Sequence, residues 1–302
     1  MLVYICLICL PYSRQGTASE ETKQKFTLDE FYSDKKSREK ARILVDNEDA
    51  LEARIRLIAG ASERVVLSTF EFREDNSGKR MLAALYDAAK RGVKVEILAD
   101  GFPYVTSMLG KSYFQALGSQ KNVTIKVYNP VNLLKPSKLM ARLHDKYLIA
   151  DDSAYIIGGR NTYDYFLGDE TDYINYDWDI LVTAENNSTP ESLEDLDKYF
   201  ETVWNLPICK TVMKSSDHLS HGKEKIEAAA DALEKLYSEM KSEKWLYKEN
   251  SDSDGEFTEV NKITLISNPV TNSLKEPTLF YTMTEFCLLY TSDAADEARS
   301  VD

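Results

Sequence analysis

The alternation of strand-like and helix-like segments from Ile43 onwards constrains the fold more than any other feature of the chain. Arg64 to Phe72 (RVVLSTFEF), Val93 to Ala99 (VKVEILA) and Val123 to Tyr128 (VTIKVY) are short apolar runs with strand character. Between them lie Lys79 to Arg91, periodic like a helix and stopped by Gly92, and a segment from Ser107 to Leu117 closed by Gly118. Ahead of the first strand, Leu51, Ile55 and Ile58 recur at helical spacing over Glu48 to Ala61, with Asn47 as N-cap. Strands joined by helices of this length need crossover connections that bury the sheet on its faces. The spacing therefore predicts an α/β fold with a mixed, largely parallel central sheet flanked by helices. Tyr176 to Val182 (YDWDILV) adds a further strand. Pro190 to Trp204 adds a helix with Thr189 as N-cap and Leu193, Leu196, Phe200 and Val203 on one face.

One stretch inside this frame carries chemistry: His144 to Asn161, HDKYLIADDSAYIIGGRN. Lys146 to Ala150 and Ala154 to Ile157 are apolar runs around the turn signal Asp151-Asp152-Ser153, so the stretch is expected to form two neighbouring strands with their polar ends at one edge. Alternation points His144 and Lys146 to the same side and Asp145 away. Histidine is the side chain best suited to act as nucleophile or proton carrier near neutral pH, and a lysine two residues on adds a fixed positive charge. Gly158-Gly159 would let backbone approach a ligand, and Asn161 can donate an amide N–H. Together these groups describe a phosphate site.

His144-x-Lys146, Asp151 and then Gly158-Gly159-x-Asn161 resemble the HKD signature of the phospholipase D superfamily, H-x-K-x-x-x-x-D followed by G-[GS]-x-N. The resemblance implies an α/β/α sandwich in which His144, Lys146 and Asp151 form the catalytic set, with Asp151 in an orienting part. Lys146, Asn161, Gly158 and Gly159 would hold the substrate phosphate, and Asp179 or Asp177 would orient the histidine; the alternative is that both carboxylates simply flank a buried Trp178. In this superfamily two HKD motifs meet across a pseudo-twofold axis. One histidine forms a phosphohistidine and the other protonates the leaving alcohol, with no metal and no cofactor. This chain has one such motif. His221-Gly222-Lys223 begins like a second, but Ala228 stands where the aspartate belongs. His218 is expected in a solvated loop. The second HKD half is therefore expected from a C-terminal part of a longer chain or from a second copy.

Within the superfamily, residues 43–286 look most like bacterial cardiolipin synthases, through ILVDNEDALEARIRLIAGA, AAKRGVKVEILADGF, Asn129-Pro130 and the Phe200 and Trp204 pair. Asp145 departs from the basic residue common there between His and Lys. The resemblance implies a phosphatidyltransferase or phospholipase with a glycerophospholipid substrate at a membrane surface, membrane-associated in the bacterial cell envelope. A phosphodiesterase or endonuclease working as a homodimer, or a non-catalytic binding member, is the alternative. The net charge of −13 makes nucleic acid an unlikely partner.

Cys6, Cys9, Cys209 and Cys287 show no disulfide framework, and Cys6-x-x-Cys9 lies in an apolar run without a second pair. Three histidines without clustered ligands argue against a metal. Residues 1–27 are expected to be an apolar anchor or signal remnant with a polar linker, and 28–215 the first phospholipase D-like domain. A long amphipathic helix with Ile226, Ala229, Leu233, Leu236 and Met240 on one face, followed by a flexible break, fills 216–258. A strand pattern from Val260 to Asn268 reads as the start of a second half over 259–286, and 287–302 (CLLYTSDAADEARSVD) as a non-native tail.

Overall fold

The structure, a computed structural model, describes residues 1–13, 16–27, 30–168, 171–184, 188–214, 222–247, 257–268 and 277–284. His218, His221 and the expected tail 287–302 lie outside them. The chain divides into two compact units, residues 37–260 and residues 1–36 with 261–302. In the smaller unit, α1 (Leu2–Cys9) has no buried residue, and α2 (Glu20–Lys25) is capped by the Ser19 hydroxyl. No helix among the described residues is long and apolar enough to cross a membrane.

The larger unit is built on a sheet of nine strands: β1 (Glu39–Leu44), β2 (Arg64–Thr69), β3 (Lys94–Asp100), β4 (Val123–Tyr128), β5 (Tyr147–Ala150), β6 (Ala154–Gly158), β7 (Asp179–Ala184), β8 (Cys209–Lys214) and β9 (Thr258–Glu259). Their order is β8-β4-β3-β2-β5-β6-β7-β1-β9. The α/β class and the mixed sheet are as expected, but the sheet is not largely parallel. Only β2 with β3 and β3 with β4 run parallel; the remaining pairings are antiparallel. The reason lies in the connections. α4 (Asn76–Lys90) carries the chain back from β2 to β3, and α5 (Gly101–Ser107) with α6 (Ser112–Gly118) does so from β3 to β4. From β4 to β7 no helix returns the chain to a parallel neighbour, and β5 turns straight into β6 through Asp151-Asp152-Ser153; α8 (Glu191–Trp204) then crosses to β8, which pairs antiparallel to β4.

Alternate residues of the strands enter two cores. Val65, Leu67, Val95, Ile97, Ile125, Leu148 and Ile156 face α3 (Asn47–Gly60), α4, α6 and α9 (Lys223–Met240) in one cluster. On the other face α8 (Glu191–Trp204) packs Phe200 edge-on to Tyr147 and joins its Ser192 hydroxyl to Tyr155 at 2.6 Å. The long amphipathic helix is α9, whose Ala229, Leu233, Tyr237 and Met240 are buried in the main cluster. It packs within this unit.

Several boundaries differ from expectation for local reasons. Asp46, not Asn47, caps α3, its carboxylate accepting from Asp49 N–H at 3.0 Å, while Asn47 turns inward to Arg160. In place of one helix over 107–117, α5 ends at Ser107 and α6 begins at Ser112, with Gly110 at φ +74° between them. Pro190, not Thr189, precedes α8. Of the strand pattern after residue 257, only Thr258–Glu259 pairs with β1; residues 260–268 have no ladder partner.

Candidate active site

The strand directions gather one set of ends at a single edge of the sheet. The C-terminal ends of β2, β3, β4 and β6 meet the N-terminal ends of β5 and β7 there. Phe70 follows β2 at this edge and receives two side chains from just ahead of β5. The His144 imidazole lies 5.0 Å from its ring centroid, and the Lys146 ammonium 5.8 Å. Both side chains thus reach one ring, while Asp145 between them turns to α8 and accepts from the Tyr199 hydroxyl at 2.7 Å.

Electrostatics tune this pair. Partial burial lowers the His144 pKa and the Lys146 charge lowers it further, against an opposing pull from Asp145, which favours the neutral imidazole. A neutral imidazole has a free lone pair with which to attack phosphorus. Burial also brings Lys146 down to about 8, although Asp145 and Asp177 oppose the shift. Its ammonium donates to the backbone carbonyl of His144 at 2.6 Å, which ties the lysine to the histidine's own position. Asn161 reaches the same place from β6. Thr162 N–H donates to Glu71 O at 3.0 Å, and the amide oxygen of Asn161 accepts from Glu71 N–H at 3.2 Å. That bond leaves the NH2 end of Asn161 as the end able to donate to an anion.

A family model described as "Cardiolipin synthase, PLD-like domain" matches residues 54–204, half of the chain. The chain belongs to the phospholipase D-like family. It aligns with cardiolipin synthase C of Escherichia coli (strain K12) at 29% identity over 177 residues, 55% of this chain and 34% of that protein. With cardiolipin synthase B of Shigella flexneri the identity is 36% over 124 residues, 40% of this chain and 29% of that protein. The chain thus spans about a third of the length of the curated relatives it matches. Among solved structures, the phospholipase D family member Nuc from Salmonella typhimurium superposes with a TM-score of 0.42 at 16% identity, over 58% of this chain and 99% of that one.

For a phospholipase D-like chain, the HKD stretch proves to be divided in its work. His144, Lys146 and Asn161 come together around Phe70 and Glu71. Asp151 does not join them. It lies past the opposite end of β5, with φ +49°, and its carboxylate accepts from the N–H groups of Ser62, Glu63 and Arg64 at 2.8 Å each and from the Ser62 hydroxyl at 3.0 Å. Burial would raise its pKa, but these donors outweigh burial and hold it below the usual value. Its part is to pin the β5–β6 turn to the start of β2.

The glycine pair also has another use than the expected one. Gly158 N–H donates to Lys146 O and Gly159 N–H to Trp178 O, so both are committed to the sheet rather than to a phosphate. A Cβ on Gly158 would collide with Asp179 and the Trp178 carbonyl, and one on Gly159 with the Asp177 carboxylate. The glycines make room for β7. Of the two candidate acids, Asp179 is fully buried between Arg54 at 2.9 Å and Arg160 at 3.0 Å. Burial raises its pKa, but the two guanidiniums reverse the shift and hold it below the usual carboxylate range. Arg160 continues this network to Leu44 O, Val45 O and Asn47. Asp179 is therefore a structural acid, and Asp177 is the one whose charge reaches Lys146. Trp178 between them is 66% exposed rather than buried. Phe70, Glu71 and Tyr199 are the site residues that sequence reasoning missed. Their only local signal is that 70 and 71 directly follow a crossover strand, where ligands collect in open α/β sheets.

Proposed function

We propose that this chain carries one catalytic half of a phospholipase D-type enzyme that transfers the phosphatidyl group of a glycerophospholipid to another alcohol or to water. The observation that carries the reading is that the His144 imidazole and the Lys146 ammonium both lie against the Phe70 ring, with the Asn161 amide fixed to the adjoining Glu71. A nitrogen of His144 attacks phosphorus, a P–N bond forms, and the P–O bond to the leaving alcohol breaks. Lys146 and Asn161 stabilise the charge on the phosphoryl oxygens. A second HKD half, on a further domain or a second copy, protonates the alkoxide and later deprotonates the acceptor, which cleaves the P–N bond. The cardiolipin synthase names of the relatives support a lipid substrate, and the net charge of −13 disfavours a nucleic acid. Such a substrate would place the protein at the membrane of a bacterial cell envelope.

A phosphodiester with a p-nitrophenolate leaving group tests the reading, because that leaving group needs no proton and so no second half. The expected result is a burst of p-nitrophenolate stoichiometric with protein and an acid-labile phosphoryl adduct on His144. A His144→Ala variant with the same burst, or a wild-type chain with neither burst nor adduct, would overturn it.

A further inference from the structure

The edge that holds His144 also carries an unusual amount of exposed apolar surface. The loop of residues 130–143, between β4 and His144, leaves Leu134 92% exposed and Met140 57% exposed. α5, after β3, exposes Phe102 and Val105, and Trp178 is exposed ahead of β7. Lys135 and Lys138 interleave with the apolar residues of the loop, both are exposed, and neither has a carboxylate partner among the described residues. Loops with such side chains are ordinarily tucked back or loosely held.

This loop is instead fastened at its base by buried polar groups. Asn129, in the left-handed region with φ +45°, donates from its amide to Lys138 O and Ala141 O at 2.7 Å each. Arg142 donates to Asn129 O at 2.8 Å and pairs with Asp100 at 3.1 Å. The fully buried Asp100 carboxylate also accepts from Phe102 N–H and Leu143 N–H at 2.8 Å each. One carboxylate thus ties α5, the loop and the residue before His144 together. The exposed apolar tips are held in fixed relation to the catalytic histidine.

We infer that loop 130–143, with α5 and Trp178, is a rim that seats the site on an anionic lipid surface, an inference that rests on the lipid-substrate reading above. Leucine and methionine side chains at a loop tip can enter the acyl boundary while neighbouring lysines meet anionic headgroups, and tryptophan favours the same interface. The positive tips stand out from a chain of net charge −13, so the loop is complementary to an anionic surface although the molecule as a whole is not. A second copy suits the loop less well, because a twofold contact through it would bring its own lysines together.

Co-sedimentation of the chain with vesicles of phosphatidylglycerol or of phosphatidylcholine tests the inference. Wild type is expected to pellet with phosphatidylglycerol, less with phosphatidylcholine, and less at high salt. The double variant L134S/M140S should lose at least about tenfold in partitioning, and K135E/K138E should lose the preference for phosphatidylglycerol. All should keep the wild-type burst with the soluble diester. H144A separates the two readings: it should pellet like wild type and give no burst. Wild type that stays in solution with phosphatidylglycerol, or L134S/M140S that pellets equally, would overturn the rim. So would dimers, seen by light scattering, that dissociate in L134S/M140S, because the loop would then be a contact between copies.

Discussion

The two ends of β5 belong to one motif yet are built on opposite terms. At the Asp151 end a carboxylate has four donors, from Ser62, Glu63 and Arg64, and its charge is fully compensated. At the other end His144 has no hydrogen bond to its ring among the described residues, and Lys146 is held in surroundings that weaken its charge. A group whose bonding is complete can hold a turn but has nothing left for a ligand. A group left incomplete costs stability and gains reactivity.

The sharpest way to break this contrast is at His144. His144→Ala should lower turnover at least about a thousandfold. The melting transition should move little, since His144 is only partly buried and its ring has no hydrogen bond among the described residues. Loss of fold instead would place the histidine in the structural class. Asp179→Ala is the opposite case. It leaves Arg54 and Arg160 buried without their acid, and should cost about 3–5 kcal/mol in denaturant unfolding. A much smaller loss would mean that the Arg160 bonds to Leu44 and Val45 suffice alone.

Asp151→Asn should destabilise by about 1–3 kcal/mol and leave the burst per folded molecule unchanged. Its lowered folded pKa gives the sign of the pH effect. The contribution is full above the unfolded carboxylate pKa and is lost as pH falls through the folded value. The variant's stability should therefore depend less on pH on the acid side. The smallest effect concerns Lys146. With its pKa near 8, binding of inorganic phosphate at the site, followed through the His144 ring resonances, should weaken as pH rises through that value. Asp177→Asn removes an opposing charge and should move that midpoint lower; an unmoved midpoint would detach Asp177 from the site.

What could be read from the sequence was what is local in it. The strands Arg64–Thr69 and Val123–Tyr128, and the pairing of His144 with Lys146 on one side, follow from short-range periodicity. The direction of later strands does not. Periodicity over Tyr176 to Val182 is the same for either direction, and β8 (Cys209–Lys214) pairs antiparallel to β4 without an intervening signal. Spacing alone points the glycines at a ligand, because Asp177 and Asp179, their neighbours in the fold, lie on and beside another strand. Phe70, Glu71 and Tyr199 meet the motif only through sheet register and the packing of α8. The division between Asp151 and His144 depends on which backbone amides stand opposite a carboxylate, and no spacing records that.

The position of β2 gives the fold a further property. It is the strand at which parallel pairing on one flank changes to antiparallel pairing on the other. The reactive side chains come from the antiparallel flank, through β5 and β6, and the exposed loop and α5 from the parallel flank, through β3 and β4. Two kinds of heritable change are thereby kept apart. On the proposed lipid reading, substitutions at the tips of the parallel flank would retune what surface or headgroup the molecule meets, while the phosphate chemistry would pass on untouched.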